Sequence, residues 1–423
     1  MNVIDELKSR GLVAQISEEE ELRKLIDGGR ISCYCGFDPS ASSLHIGNFL
    51  AIMLLVHFQK AGHKPFALVG GATGMIGDPS GKSKERNLLD AETVRYNAEC
   101  IKKQLSKFLT FDDSPSGAVL VNNYDWMKDF SYLNFLRDVG RYFRVGEMMA
   151  KESVKQRFAR EDGISYTEFS YQLLQSYDFK YLNEKYGVVL EMGGNDQWGN
   201  ITSGIEFIRK FNGKSVYGLT NPLITGADGQ KLGKSVAGAT YLDRDRTSPF
   251  AFYQYWFRTD DRDVIRYLRL FTFLSKEEID SLEVKLKENP EGREAHRVLA
   301  REITTMVHSA EDVKRAEDAS KVLYGSEIKD FTDSMIAEVF SEVPTYETSR
   351  DSLGQVKLVE LIANSKLANS KGAARKLVTQ GGIYINNIRE TSPDRIISSE
   401  DLASENYIVL RSGKKNYHLV KFS

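Results

Sequence analysis

Cysteine is scarce in this 423-residue sequence, which has only Cys33, Cys35 and Cys100. An odd number without framework spacing argues against a disulfide-stapled secreted protein. Cys33 and Cys35 form a bare C-x-C, and no Cys/His cluster lies nearby to complete a zinc site. Long apolar runs are missing too. The most apolar stretch, Phe49 to Phe58, is about half of what a membrane span requires. The opening "MNVIDELKSRGLVAQISEEEELRKLIDGGR" lacks a signal-peptide core and is too acidic for a transit peptide, so the cytoplasm is the expected setting. Net charge is only −2, which excludes a general affinity for nucleic acid but not a local basic patch. Repeats and low-complexity segments are absent. What is present is 41% apolar and 27% charged, the balance of a soluble globular chain long enough for about two to four domains.

In the first half, short apolar runs alternate with longer periodic ones. "ISCYCGF", "KPFALVGG", "AVLVNN" and "VVLEMGG" read as buried strands. Helical patterns cover 44–61, about 90–109, 131–158 and 165–186. This alternation predicts an α/β domain with a parallel sheet covered by helices on both faces. Ligands of such sheets bind beyond the carboxyl ends of the strands. From about 240 to 328 only helices are expected, as a separate domain. Residues 329–355 are acidic, with Pro344 and scattered Ser and Thr, and read as a linker. Two short helices, a hairpin and closing strands follow. From Lys366 onward ten basic residues face five acidic ones, a net of five positive charges hidden by the overall balance. Such a patch is either a solvated face or a nucleic-acid footprint.

Three segments bear on chemistry. "DPSASSLHIGNFL" puts His45, Gly47 and Asn48 where a loop becomes an apolar helix. It is either an ordinary cap or a phosphate site at a helix start. "GATGMIGDPSGKSKER" imitates a P-loop, but Ile76 stands where the first glycine belongs. What it offers is a glycine-rich strand end, Asp78 fixed in a turn by Pro79, and the cations Lys82, Lys84 and Arg86 on a loop. "GADGQKLGKSVAGA" carries Lys231 and Lys234 three apart beside Ser235. It is either a plain lysine-bearing turn or a loop that closes on a polyphosphate and shields charge growing at a reacting phosphoryl centre. A further stripe, Tyr171, Gln175 and Asp178, occupies i, i+4 and i+7 of one helix, as a polar pocket or an exposed face.

Together, "HIGN" and "KLGKS" resemble the HIGH and KMSKS motifs of class I aminoacyl-tRNA synthetases. "YCGFDPSASSLHIGN", "GGATGMIGDPSGK", "FSYQLLQSYDF" and "GGNDQWGNITSG" narrow the resemblance to the bacterial-type tyrosyl-tRNA synthetases, over essentially the whole length. Two positions depart from the motifs: Asn48 replaces a histidine, and Leu232-Gly233 replace Met-Ser. The resemblance implies a Rossmann-like catalytic domain with an inserted helical segment over 1–228 and a catalytic loop over 229–239. It implies an α-helical anticodon-binding domain over 240–328, a linker over 329–355 and a small α+β RNA-binding domain of ribosomal-protein type over 356–423. It implies ATP-dependent activation of L-tyrosine and its transfer to tRNA(Tyr), with Mg²⁺ carried by ATP, and a homodimer.

By the same carry-over, His45, Asn48, Lys82, Arg86, Lys231, Lys234 and Ser235 would handle the phosphates. Tyr34 and Asp178 would bond the substrate phenol, and Asp78, Tyr171 and Gln175 its ammonium. Gln197 would lie near the carboxylate. Cys35, Gly36, Asp38, Ser40, Gly47 and Asp196 would line the nucleotide side, with Cys35 and Asp196 reaching the ribose. The segment "NFLRDVGRYFRVGEMMAKESVKQRF" suits a subunit interface, a tRNA acceptor end or ordinary core. The rival readings are the tryptophan enzyme, a small-molecule nucleotidyltransferase and a non-catalytic RNA-binding protein with a synthetase fold. The pair Tyr34 and Asp178 and the basic tail argue against the first. The helical region and tail argue against the second. Intact His45, Lys231 and Lys234 argue against the third.

Overall fold

The computed structural model describes every residue except 1, 81–88, 161–162, 228, 230–231, 236–237, 324, 329–330, 342 and 414–415. The chain divides into two compact units. One comprises 1–248 and 255–307, the other 249–254 and 308–423.

The first unit is built on a six-stranded sheet. Its strands are β1 (Gln15–Ile16), β2 (Ser32–Phe37), β3 (Lys64–Val69), β4 (Val119–Asn122), β5 (Val188–Gly194) and β6 (Tyr217–Asn221), in the order β1-β6-β5-β2-β3-β4. All neighbours run parallel except β1, which lies antiparallel on the edge. Four of these strands are the four expected runs. They read as continuous apolar sequence because helices cover both faces of such a sheet. The order progresses one way from β2 through β3 to β4, and the other way from β5 to β6. The carboxyl ends of β2 and β5 therefore flank the crevice where such sheets bind ligands.

Helix α1 (Ile46–Lys60) is buried along most of its length, from Ile46 to Phe58, as its nearly uniform apolar sequence requires. Helix α2 (Ala91–Leu105) starts on the Asp90 carboxylate, which accepts from the Thr93 N–H at 2.8 Å. Helix α3 (Tyr166–Tyr186) is capped by Ser165 and ends at Gly187, whose φ of 67° gives the left-handed turn glycine tolerates. Helix α4 (Trp198–Asn212) follows β5 and packs on α3. The expected helix over 131–158 is instead four short pieces, Tyr132–Asp138, Gly140–Tyr142, Val145–Met149 and Glu152–Phe158. Extended backbone at Phe143 and Arg144 interrupts it. Its last piece is tied to α3 by a fully buried ion pair between Arg157 and Glu168, 3.1 Å apart.

The expected separate helical domain over 240–328 is not one body. Helices α5 (Asp261–Phe271), α6 (Lys276–Glu288) and α7 (Glu294–Val307) belong to the first unit and pack on one another. Residues from 308, including helix α8 (Ala310–Leu323), belong to the second.

Two minimal strands, β7 (Lys234–Ser235) and β8 (Gly238–Ala239), pair antiparallel within the first unit. The second unit carries helices α9 (Asp333–Val339), α10 (Leu358–Asn364) and α11 (Lys371–Thr379) and a sheet of β9 (Thr345–Thr348), β10 (Ile383–Ile385), β11 (Ile388–Glu390), β12 (Tyr407–Ser412) and β13 (Asn416–Phe422), in the order β11-β10-β12-β13-β9. Leu358, Leu361, Ile362, Ile383, Leu410, Val420 and Phe422 form its core. The expected linker over 329–355 therefore holds α9 and β9. Ile336 and Phe340 are buried with Val409 and Leu419, and β9 pairs parallel with β13, Leu419 opposite Thr345. "TYET" gives no apolar alternation because it is an edge strand with every second residue exposed.

Candidate functional site

His45 is the N-cap of α1, and the Asn48 side-chain oxygen accepts from the His45 backbone N–H at 3.2 Å. This is the return half of a capping box, with asparagine in the place usually taken by Glu or Gln. A Cβ at Gly47 would stand 2.7 Å from His45 Cε1, so the imidazole occupies the space glycine leaves open. The segment leading out of the KLGKS turn is hydrogen-bonded alongside this helix start. Ile46 N–H donates to Thr240 O at 3.0 Å and Leu242 N–H to Leu44 O at 2.9 Å. Thr240 N–H closes onto Gly233 O at 2.8 Å. Gly233 has φ of 81°, and a Cβ there would lie 3.2 Å from Ile46 Cβ. Glycine replaces serine in this motif at a left-handed position pressed against α1. The two motifs, whose first residues are His45 and Lys231, are far apart in sequence, and the His45 helix start and the Gly233 turn are thus held side by side.

At the carboxyl ends of β2 and β5, buried polar groups form two hydrogen-bonded chains. In the first, Tyr171 Oη donates to Asp38 Oδ2 at 2.9 Å, and Thr73 Oγ1 donates to Asp38 Oδ1 at 2.7 Å. Asn123 Nδ2 donates to Thr73 Oγ1 and to Asp178 Oδ2, both at 2.9 Å. Trp126 Nε1 donates to Asp178 Oδ1 at 2.8 Å. In the second, Gln197 Nε2 donates to Asp78 Oδ2 at 2.7 Å, and Asn200 Nδ2 donates to Gln175 Oε1 at 2.9 Å and to Asp78 Oδ1 at 3.3 Å. Gln175 Nε2 then donates to Glu191 Oε1 at 2.9 Å. Tyr34, on β2, is 2% exposed, with its ring tilted against Phe179. Its hydroxyl and Glu191 Oε2 complete no hydrogen bond of full geometry, yet they lie close enough to shift each other's protonation.

Burial dominates the electrostatics. It raises the Asp178 carboxyl to about 8, against the pull of the Asn123 and Trp126 donors. It raises Glu191 to about 7, against Gln175 and Tyr34. The Tyr34 and Tyr171 phenols are pushed well above their ordinary value, first by burial and next by Glu191 and Asp38 respectively. Such paired, perturbed groups at a sheet's switch point mark a binding site.

Residues 27–325 match the family described as tRNA synthetases class I (W and Y), and 335–420 match the tyrosine–tRNA ligase SYY-like C-terminal domain. A tyrosine–tRNA ligase of Bacteroides fragilis is 51% identical, with 99% of each chain covered, and one of Bacillus caldotenax is 49% identical over the full length of both. A C-terminally truncated mitochondrial tyrosyl-tRNA synthetase of Aspergillus nidulans superposes with a TM-score of 0.70 at 30% identity, covering 76% of this chain and 94% of its own. The chain belongs to the tyrosine–tRNA ligases.

In this ligase the residues expected around the amino acid converge. Tyr34, Asp78, Tyr171, Gln175, Asp178 and Gln197 all belong to, or border, the two chains. The expected stripe of α3 faces inward: Tyr171 and Asp178 are buried and Gln175 half-buried. Cys35, expected to reach the ribose, lies on β2. Its thiol is buried and donates to Met192 O at 2.8 Å, and burial raises it well above the usual range. Asp38, expected on the nucleotide side, is bonded to Tyr171 and Thr73. Gly36, Ser40 and Gly47 are exposed and Asp196 half-exposed. Lys82, Arg86 and Lys231 lie outside the described residues, and of Lys234 and Ser235 only the backbone strand is described.

Thr73, Asn123, Trp126, Glu191 and Asn200 were not anticipated. Glu191 had a signal, a lone acid in the apolar run "VVLEM", and Asn200 closes the quoted "GGNDQWGN". Trp126 had none. Among the described residues, no group of three or more His, Cys, Asp or Glu is arranged to hold a metal, and no helix is long and apolar enough to cross a membrane.

Proposed function

We propose that this site activates L-tyrosine with ATP, giving tyrosyl-adenylate and pyrophosphate, and then passes the tyrosyl group to the 3′-terminal adenosine of tRNA(Tyr). The observation that carries the reading is the pairing of Leu44–Ile46 with Thr240–Leu242, which sets the His45 helix start against the turn at Gly233, in the unit that also holds the buried polar chains. A carboxylate is already a nucleophile at neutral pH. The first step therefore requires positioning and stabilisation of phosphate charge, not a protein base. His45 and Asn48 at the positive end of α1, with Lys82, Arg86, Lys231, Lys234 and Ser235, take the phosphates. Magnesium arrives with ATP as part of that substrate.

Tyr34 and Asp178 take the phenol hydroxyl, and Asp78, Tyr171 and Gln175 the ammonium. Gln197 lies by the carboxylate, while Gly36, Ser40, Gly47 and Asp196 line the nucleotide side. Phenylalanine would leave buried Tyr34 and Asp178 groups unpaired, which costs more than the lost contact itself. The basic residues after Lys366 meet the tRNA backbone. Several are held in exposed ion pairs, such as Lys371 with Glu360 and Arg375 with Asp394, which phosphates can replace at little cost. The exposed apolar side chains Tyr132, Leu133, Val145, Phe158 and Tyr166 support a homodimer through the inserted segment. A cytoplasmic location follows from these substrates.

The test is exchange of labelled pyrophosphate into ATP. It is expected with tyrosine and at most at trace level with phenylalanine or tryptophan. No exchange with tyrosine, or equal exchange with either rival amino acid, overturns the assignment.

A further inference from the structure

Glu191 has no part in the reading above, yet it ends the second buried polar chain beside Tyr34. It is 2% exposed on β5. One carboxyl oxygen accepts from Gln175 Nε2 at 2.9 Å, and the other is buried without a partner. The Tyr34 hydroxyl beside it is likewise buried without a partner. Leaving two such atoms unpaired is costly, and their neighbourhood offers the remedy of a hydrogen bond between them once the pocket is filled. Asp178 also lies close enough to influence Tyr34. Each oxygen of Asp178 accepts one donor, from Asn123 and Trp126, and has a lone pair to spare.

We propose that Glu191 is a positioning residue that shares one proton with Asp178 through Tyr34, the substrate phenol completing the hydrogen-bond chain between the two carboxyls. This rests on the reading of the pocket as a tyrosine site. The chain runs in either of two directions. With the proton on Glu191, that acid donates to Tyr34, Tyr34 donates to the phenol oxygen, and the phenol donates to the Asp178 carboxylate. With the proton on Asp178, every link reverses, and Tyr34 donates to the Glu191 carboxylate. Both arrangements use one proton and leave no group unpaired. Two protons on the pair give four hydrogens for three links, so one hydrogen has no place in the chain. No proton gives two hydrogens for three links, so one link is lost.

The surroundings favour the one-proton state. Burial raises both carboxyls towards neutrality, and the charge of Glu191 raises Asp178 further. The other titratable groups facing the pair are Tyr34 and Cys35 from β2, Asp38 beyond its end, and Tyr171 and Tyr177 from α3, all of which resist added negative charge. Helix α4 presents Gly204, where a Cβ would stand 3.4 Å from Glu191 Oε2, and no charge. Coupled acids of this kind titrate as a pair.

The experiment measures the KM for tyrosine in pyrophosphate exchange from pH 6 to pH 9. In the parent, KM is expected to pass through a minimum near neutrality and to rise about three- to tenfold on each side, the effect of one hydrogen bond. Glu191→Gln fixes an amide donor towards Tyr34 at every pH. It is expected to abolish the alkaline rise, with kcat changing less than KM across the range. A variant that keeps the two-sided profile overturns the proposal. A second measurement needs no variant. Calorimetry of tyrosine binding at pH 6, in two buffers of different ionisation heat, is expected to show release of a proton as the pair goes from two to one. Heats that do not depend on the buffer overturn the proposal. Absence of tyrosine-dependent exchange at every pH is a different failure, that of the tyrosine site itself.

Discussion

Asn48 stands where the class I motif has a second histidine, and the structure commits its carbonyl oxygen to the His45 N–H. Its amide N–H groups remain as donors towards the phosphates. Asn48→Ala is expected to cost about 1 kcal/mol of stability through the lost cap and to slow adenylate formation by about the same energy, roughly fivefold. Asn48→Asp separates the two roles. Its carboxylate restores the cap but donates nothing, so the melting midpoint should recover while pyrophosphate exchange stays slow. Recovery of both would mean that the residue serves the cap alone. A second prediction concerns Glu191. A carboxyl raised to about 7 by burial binds its proton more tightly folded than unfolded. Its contribution is fully present below the usual carboxylate pKa and is lost as pH rises through about 7. Unfolding of the substrate-free chain at pH 5.5 and pH 8.5 should show stability falling with pH. Glu191→Gln should remove up to about 2 kcal/mol of that fall, because only the part of the window above pH 5.5 is spanned. Legibility at this scale followed chemistry. Tyr171, Gln175 and Asp178 could be read because helical spacing put three polar groups on one face. Thr73, Asn123 and Trp126 could not, because they act through Asp38 and Asp178 from separate segments that only folding brings together.

Among elements, the decisive contact is between the start of α1 and the turn at Gly233. Gly233→Ala would force a Cβ into a left-handed residue at 3.2 Å from Ile46 Cβ. Strain of about 1–2 kcal/mol is expected. Because the turn braces the His45 end of the helix, the effect should appear as roughly tenfold slower adenylate formation with a raised KM for ATP. An unchanged rate would show that the turn moves away from α1 during the reaction. The inserted segment depends on a different contact. Arg157→Ala leaves Glu168 buried without its cation, and a loss of about 3–5 kcal/mol is expected. Thermal unfolding checks it, and Arg157→Met with Glu168→Leu should recover much of the loss. The buried strands were legible because burial on both faces makes them continuously apolar. The segment over 131–158 was misread as one helix because its apolar spacing persists through Phe143 and Arg144, where the backbone extends. β6 was missed because "YGLTN" is five residues with a glycine at its second position, too little for a pattern.

For the molecule as a whole, the sequence marked the basic tail but not where its fold begins. The start at 356 divides a single hydrophobic cluster. Ile336 and Phe340 lie before it, and Val409, Tyr417 and Leu419 lie after it. A chain ending at residue 355 would also strip β9 of β13, its one strand neighbour among the described residues. Such a truncation should expose apolar side chains and an unpaired strand, and aggregate. Ending the chain at 331 removes α9 and β9 together with the rest of the sheet and should stay in solution longer. The buried polar chains, the His45 helix start and the Gly233 turn all lie in the first unit. Both truncations are therefore expected to keep tyrosine-dependent pyrophosphate exchange within about threefold per active chain, a difference below about 1 kcal/mol. Charging of tRNA should fall by more than about tenfold in both, since phosphate contacts supply much of such affinity. Charging by the full chain should weaken steeply as salt rises, and the residual charging by the truncated chains less so. Equal salt dependence with and without the tail would mean that its positive charges are spent on their own acidic neighbours and not on RNA.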